Sequence, residues 1–324
     1  SALNVRLENL RNNKDREIEE YVQNAVSDRP EFYVGYGAMI RKDLEQEYLK
    51  REKALQEDQY TNDITSNYLI DQTKLSAGNF IAKATGVVSG IDVVATVYKL
   101  INKKIEFGIL KPNGSFVNRG DVIAFVRGPL KDILRGERVA LNFLQRLSGV
   151  ASLVSKYVTE LKGTKCKIID TRDTMPLFRE LERSAFVDGG GVNGCADLSD
   201  RIVLKDNHLS IIDSITEAVN FCKKNASKST QIEVEVETKE EFIDALESKC
   251  DVIILDSMSN ELMKELVQLN NGQKVLIAKG NINYQKARSV ALTGVDYIMV
   301  SSLNQSYKAL DIVLKFYKKI RYKF

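Results

Sequence analysis

The sequence predicts an α/β protein in which a small α/β domain precedes a parallel-stranded (β/α) barrel. Three observations predict it. Short β-type runs broken by turn signals occupy residues 63–128, a long helical stretch follows at Arg138–Leu161, and beyond it apolar, β-branched runs alternate with amphipathic ones. Strand and helix recurring at roughly twenty to thirty residues is the pattern that βαβ units in a parallel sheet produce. With 324 residues, 44% of them hydrophobic, the chain can bury a core of that size and is not a disordered protein.

Residues 1–45 set Leu7, Leu10, Ile18, Tyr21, Val22 and Ala25 at helical spacing among charges. Pro30 stops that helix, because proline disfavours the α conformation in the residue before it. This stretch reads as a helical extension on the outside of the protein, followed by a second charged helical run at Arg41–Gln56. Residues 46–145 read as the small domain, with strands at Phe80–Thr85, Ile105–Leu110 and Val122–Arg127 and a helix at Ile91–Ile101. Asn113-Gly114 and Arg119-Gly120-Asp121 supply turns between them. The stretch Arg138–Leu161 repeats apolar residues at Leu141, Leu144, Leu147, Val150, Leu153 and Val154, the stripe of a packed helix. Residues 146–304 read as the barrel. Its strands are Lys167–Thr171, Arg201–Lys205, Ile232–Glu237, Val252–Asp256, Val275–Lys279 and Tyr297–Ser301, with helices such as Lys239–Leu246 and Asn260–Leu269 between. The basic end, 305–324, reads as a C-terminal helix returning to the first domain.

Composition narrows the function. With 47 basic against 44 acidic residues the net charge is +3, too near balance for a nucleic-acid binder held by bulk charge. The four cysteines, Cys166, Cys195, Cys222 and Cys250, have neither zinc nor disulfide-framework spacing, which points to a reducing cytoplasm. The longest apolar stretch is broken by Lys83 and Asp92, so no membrane span is expected, and no secretory signal is visible. A single histidine, His208, excludes mechanisms that need two in one chain and reads as a hydrogen-bonding turn residue.

Most of the barrel runs end on a polar or charged residue: Asp170, Lys205, Glu235 or Glu237, Asp256, Lys279 and Ser301. In a (β/α) barrel these are the C-terminal strand ends, where sites are built. Arg172, Lys205 and Lys279 suit an anionic substrate, while Asp170, Glu235 and Asp256 suit a divalent metal. Together they suit a phosphorylated substrate carried with Mg²⁺, and Gly189-Gly190-Gly191 would let backbone N–H groups approach it. No P-loop motif and no nucleophile–base pair is evident. Ribosyl transfer fits, because its oxocarbenium-like transition state needs positioning and charge stabilisation more than a protein nucleophile.

Several segments resemble one family. Glu137-Arg138-Val139-Ala140-Leu141-Asn142-Phe143-Leu144-Gln145-Arg146-Leu147-Ser148-Gly149 is closely similar to the helix motif of the quinolinate phosphoribosyltransferases. So are Asp170-Thr171-Arg172, Gly189–Asn193, Lys205-Asp206-Asn207-His208, Glu233–Val236 and Thr293–Tyr297, in the same order along the chain. The resemblance implies an N-terminal α/β sandwich joined to an open, seven-stranded barrel of the type II phosphoribosyltransferase kind, assembled as a homodimer or a hexamer. It implies the reaction of quinolinate with phosphoribosyl pyrophosphate and Mg²⁺ to nicotinate mononucleotide, CO₂ and pyrophosphate. Under it, Arg138 would reach the pyridine acid across the subunit interface, Arg172 would pair with a substrate carboxylate, and Lys205 would sit between base and ribose phosphate. Glu235 and Asp256 would hold the ribose hydroxyls and the metal, and Lys205, Glu235 and Asp256 would carry the chemistry. Asn193, Lys279, Gly280, Asn281 and Ser301 would complete the substrate-binding set.

The chain departs from the family pattern at several of these places. Asp173 stands where the family has lysine, Gly194 and Cys195 where it has histidine and arginine, and Lys279 where it has the serine of a phosphate-binding loop. Quinolinate is a dianion, and burying its carboxylates without cations is costly. Two further readings therefore stay open on the residues alone: transfer to a less anionic pyridine such as nicotinamide or nicotinate, and a non-catalytic homologue that binds the same ligands.

Overall fold

The computed structural model describes residues 50–317 apart from Asp213 and Ser302. The extension read at 1–45 lies outside the described residues. The first unit is a four-stranded antiparallel sheet with one helix packed on it. Its elements are α1 (Ile64–Leu69), β1 (Leu75–Ala82), β2 (Gly86–Val87), α2 (Ile91–Ile101), β3 (Glu106–Ile109), β4 (Phe116–Val117) and β5 (Val122–Pro129). Helix α2 has the bounds its pattern predicts. Ile91, Val93, Val94, Val97 and Tyr98 form its buried face, and Asp92 and Lys99 stand at the ends where each complements the helix dipole.

Helix α3 (Leu130–Glu160) joins the two units, and at 31 residues it is longer than the sequence pattern suggests. It buries Val139, Ala140, Leu141, Phe143, Leu144, Leu147, Val150 and Val154, so one apolar core runs through both units. Its hydroxyls stitch the first unit on: Ser152 Oγ accepts the Val87 N–H at 2.8 Å and Ser148 Oγ the Ser89 N–H at 3.0 Å.

The second unit alternates strand and helix: β6 (Lys167–Ile169), α4 (Arg179–Asp188), β7 (Ile202–Leu204), α5 (Asp206–Leu209), α6 (Ile215–Asn225), β8 (Ile232–Val236), α7 (Lys239–Glu247), β9 (Val252–Asp256), α8 (Asn260–Asn270), β10 (Val275–Lys279), α9 (Tyr284–Ala291) and β11 (Tyr297–Met299). The strands form a parallel sheet in the order β6-β11-β10-β9-β8-β7. A parallel bridge from Ile169 to Val192 adds a further extended segment beside β6. The sheet curls into an open barrel with two apolar layers. Ile169, Val252, Ile254 and Ile277 fill its inside, while residues such as Ile168, Val234, Ile253, Leu255, Ala278 and Ile298 pack outward against the helices.

Two expectations need correction here. The C-terminal segment returns to the first unit as a strand, β12 (Ile312–Phe316), and not as the helix read for 305–324. The period-two burial of Ile312 and Leu314 between the more exposed Val313 and Lys315 is a strand pattern, and its register with β1 runs Gly78↔Phe316 to Ala82↔Ile312. The glycine triplet serves packing. A Cβ on Gly189 would lie 2.5 Å from the Ala151 carbonyl oxygen and one on Gly191 2.1 Å from the Phe186 ring. Only glycines let this turn press against α3 and α4.

Candidate active site

Parallel strands bring their C-terminal ends to one mouth. Arg172 lies just beyond β6, Lys205 directly follows β7, Asp256 and Lys279 end β9 and β10, and Ser301 follows β11. Lys279 and Asp256 stand opposite each other in register, and Glu235 sits one layer deeper, opposite Ile254. Arg172, Lys205, Glu235, Lys279 and Ser301 line one cavity of about 400 Å³. A neighbouring cleft of about 470 Å³ is lined by Ser257, Lys279, Gly280 and Asn281. Of the residues expected at the site, these two spaces gather all but three. Asp256 reaches the mouth through its ion pair with Lys279, at 2.8 Å. Arg138 is exposed on α3 and Asn193 is exposed beyond the glycine turn, and neither lines either space.

Alternation explains the charge inside. In the Ile-Glu-Val-Glu-Val of β8 the apolar residues face the helices, so Glu233 and Glu235 must face the barrel interior. Each has a cation. Arg201 donates to Glu233 at 2.7 Å and also pairs with Asp200 at 3.2 Å. The ammonium of Lys279 donates to Glu235 Oε1 and to Asp256 Oδ2. Burial raises the Glu235 carboxyl above its ordinary range, with the neighbouring Asp256 adding to it and Lys279 opposing. Asp256 is shifted the other way: burial would raise it, but hydrogen bonds from Glu235, Lys279 and Ser257 outweigh that. Burial would likewise lower the Lys279 ammonium, and its two carboxylate partners outweigh it.

At the β6 end, Asp170 is buried; its Oδ1 accepts the Gly194 N–H at 2.5 Å and an Arg183 guanidinium N–H at 3.5 Å, and its Oδ2 lies 3.1 Å from the same guanidinium as an ion pair. Arg183 also reaches the Cys195 carbonyl at 3.2 Å, so this arginine holds the loop that carries two of the departures from the family pattern. Burial raises the Cys195 thiol, and its Sγ contacts the Asp197 carbonyl oxygen at 3.1 Å, the behaviour of a small filler. His208 accepts the Lys205 backbone N–H at 3.2 Å, as a turn residue does.

Arg201, Glu233 and Arg183 were not among the residues expected at the site. For Glu233 a signal existed, since it stands two residues before Glu235 on the same face of one strand. The arginines gave none, because their partners lie 32 and 13 residues away. Once these pairs are set aside, Arg172 and Lys205 remain as cavity cations without a carboxylate partner among the described residues.

A divalent cation held by Glu235 and Asp256 does not fit this arrangement. The Lys279 ammonium stands between the two carboxylates and bonds to both. Among the described residues no cluster of three or more His, Cys, Asp or Glu side chains could hold a metal ion.

Fold and mouth together define a two-unit α/β barrel protein with a charged cavity at the C-terminal ends of its strands, where barrels of this kind build their sites. The comparisons with known proteins make the class specific. The family model "Quinolinate phosphoribosyl transferase, N-terminal domain" matches residues 63–148, and that of the C-terminal domain matches residues 150–315. The chain is 35% identical over 256 residues to the probable nicotinate-nucleotide pyrophosphorylase [carboxylating] of Bacillus subtilis, covering 79% of this chain and 88% of that protein. The crystal structure of NadC from Streptococcus pyogenes superposes with a TM-score of 0.80 at 33% identity, covering 83% of this chain and 96% of the other. The nicotinate-nucleotide pyrophosphorylase of Francisella tularensis gives 0.81 at 31% identity, covering 84% and 96%. The chain belongs to the quinolinate phosphoribosyl transferase family.

Proposed function

We propose that the protein transfers a phosphoribosyl group from phosphoribosyl pyrophosphate to quinolinate, yielding nicotinate mononucleotide, CO₂ and pyrophosphate in pyridine-nucleotide synthesis. The observation that carries this reading is the pair of unpartnered cations, Arg172 and Lys205, facing a cavity whose other cations are already neutralised. A guanidinium suits a carboxylate in two-point contact, and an ammonium suits a phosphate or carboxylate as a point charge. The cavity itself carries Arg172, Arg201, Lys205 and Lys279 against Asp170, Asp173, Asp197, Glu233 and Glu235. A dianionic base therefore needs more positive charge than one chain offers. In this reading Arg138, exposed on α3, supplies it to a partner subunit, with a homodimer or a multiple of it as the working assembly.

In this reading Arg172 and Lys205 orient the pyridine so that its nitrogen faces C1 of the ribose. The bond from C1 to pyrophosphate breaks as the bond to nitrogen forms. Glu235 and Asp256, at the wall of the mouth, accept hydrogen bonds from the ribose hydroxyls and stabilise the positive charge that develops on the ring. The positively charged ring nitrogen then stabilises the electron pair left on the adjacent ring carbon when its carboxylate leaves as CO₂, and that pair takes a proton from solvent. The curated relatives matched are named for carboxylating or decarboxylating chemistry, which favours quinolinate over the less anionic pyridines.

The test incubates the whole chain with phosphoribosyl pyrophosphate, Mg²⁺ and quinolinate, nicotinate or nicotinamide in separate reactions, following pyrophosphate and mononucleotide. Turnover is expected with quinolinate, and Arg172→Met should lower kcat/KM by about a hundredfold or more, the loss of one charge-assisted, two-point contact. Turnover with nicotinate or nicotinamide and none with quinolinate would overturn the assignment.

A further inference from the structure

We propose that Lys279 is a built-in cation standing where a divalent metal would otherwise lie between Glu235 and Asp256, so that the protein holds no metal at these carboxylates. The inference deepens the function proposed above and rests on it only for its consequence in catalysis.

Two inward-facing carboxylates at a barrel mouth need a counter-charge, because unpaired anions in a poorly solvated place are costly. Glu235 and Asp256 expose only 7% and 15% of their side chains, so water supplies little of it. Arg201 cannot serve, being held by Glu233 and Asp200. Lys279 does serve, with its ammonium bonded to Glu235 Oε1 and 2.8 Å from Asp256 Oδ2.

The backbone fixes this arrangement. Lys279 and Asp256 are register partners in adjacent parallel strands, and the Lys279 carbonyl accepts the Ser257 N–H at 2.9 Å. Ser257 takes a left-handed conformation, φ 55°, and its hydroxyl donates to Asp256 Oδ1 at 2.7 Å. Both oxygens of Asp256 thus have a donor before any ligand arrives. Gly280, φ 140°, passes so close that a Cβ there would lie 3.2 Å from Ser257 Cα, which keeps the two strand ends clamped side by side. A small divalent cation demands several oxygens at about 2.0–2.1 Å in near-octahedral array. It would have to displace an ammonium from both carboxylates or lie against its charge. In catalysis the consequence is that Lys279 offsets one of the two negative charges and leaves the other to face the ribose, so any divalent ion must arrive on the substrate's phosphates.

The experiment titrates Mn²⁺ into the substrate-free full chain and reads bound metal by electron paramagnetic resonance and calorimetry. Wild type is expected to show no site at these carboxylates. Lys279→Met and Lys279→Gln should each gain one Mn²⁺ per chain, bound at least about tenfold tighter than any residual wild-type binding. Adding Asp256→Asn to either should remove the gain. Wild-type binding of one Mn²⁺ that Glu235→Gln abolishes would overturn the proposal, as would folded Lys279 variants that bind no better than wild type. If neither variant folds, the wild-type titration with its Glu235→Gln control decides alone. No substrate is present, so this titration and the transferase assay fail separately.

Discussion

At the scale of single residues, Tyr98 shows what sequence patterning reveals and what it hides. Its place on the apolar stripe of α2 marks it as core, and it is fully buried, stacked on Phe107 at 5.8 Å and edge-on to Phe80 at 6.2 Å. Its hydroxyl, however, has no hydrogen-bond partner among the described residues, and burial pushes the phenol far above its ordinary range. A buried donor left unpaired costs the desolvation that a partner would have offset. Tyr98→Phe keeps the ring and removes that group, so it should raise stability by about 1 kcal/mol in urea unfolding. A loss of stability would mean that the hydroxyl is satisfied in solution. The same contrast holds at the mouth. That Lys205, Glu235 and Asp256 belong to one rim is legible from their places at strand ends. That Lys279 is bound to two of them is not, since a lysine after an apolar run reads equally as a free phosphate ligand.

At the scale of elements, β8 and its neighbours show why the barrel was legible and its closure was not. Alternating Ile-Glu-Val-Glu-Val marks a strand with one apolar face, and βαβ spacing marks the sheet as parallel; that all five residues are buried, with both glutamates inside the barrel, is what the alternation hides. The ties between elements depend on pairs far apart in sequence. Asp251, just before β9, accepts the Ile232 N–H at 2.7 Å and pairs with Lys223 of α6 at 2.8 Å, joining α6, β8 and β9. Burial would raise its carboxyl, but Lys223 and the Ile232 N–H outweigh that and hold it below the ordinary 3.8. A depressed carboxyl stabilises the fold fully above its unfolded value and loses that contribution as pH falls through its folded value. Asp251→Asn keeps an acceptor and removes the charge. It should lower stability by about 1 kcal/mol near pH 7, a modest sum because the pair is partly solvated. The gap from wild type should begin to narrow below about pH 4, where an unfolded aspartate protonates, and close only once pH has fallen through the depressed native value. Thermal melts across pH 3–7 would show it, and a gap constant across that range would refute the charge as its source.

At the scale of the whole molecule, the two ends of the described chain complete one sheet. Strand β12 reaches β1 after the barrel is built, and α3 receives it: the Leu310 N–H donates to the Gln145 carbonyl at 3.0 Å, and Gln145 Nε2 donates to the Ile312 carbonyl at 2.7 Å. Gln145 lies inside the helix motif that carries the family resemblance, so one helix both faces the barrel and holds its returning strand. The return was legible in the position of an apolar, basic tail after the last βα unit, whereas its form was not, because five residues are too few to separate period two from a helical turn. Removing residues 307–324 would strip Leu310, Ile312 and Leu314 from the core, each buried. At about 1.5–3 kcal/mol per such side chain this should cost roughly 5 kcal/mol or more, and it would leave β1 with an open edge. Hydrogen exchange should then show amides of Gly78–Ala82 losing protection first, while those of β9 and β10 keep theirs. Equal loss in both sheets would show instead that the core shared through α3 makes the two units a single cooperative body, with β12 as one of its necessary parts.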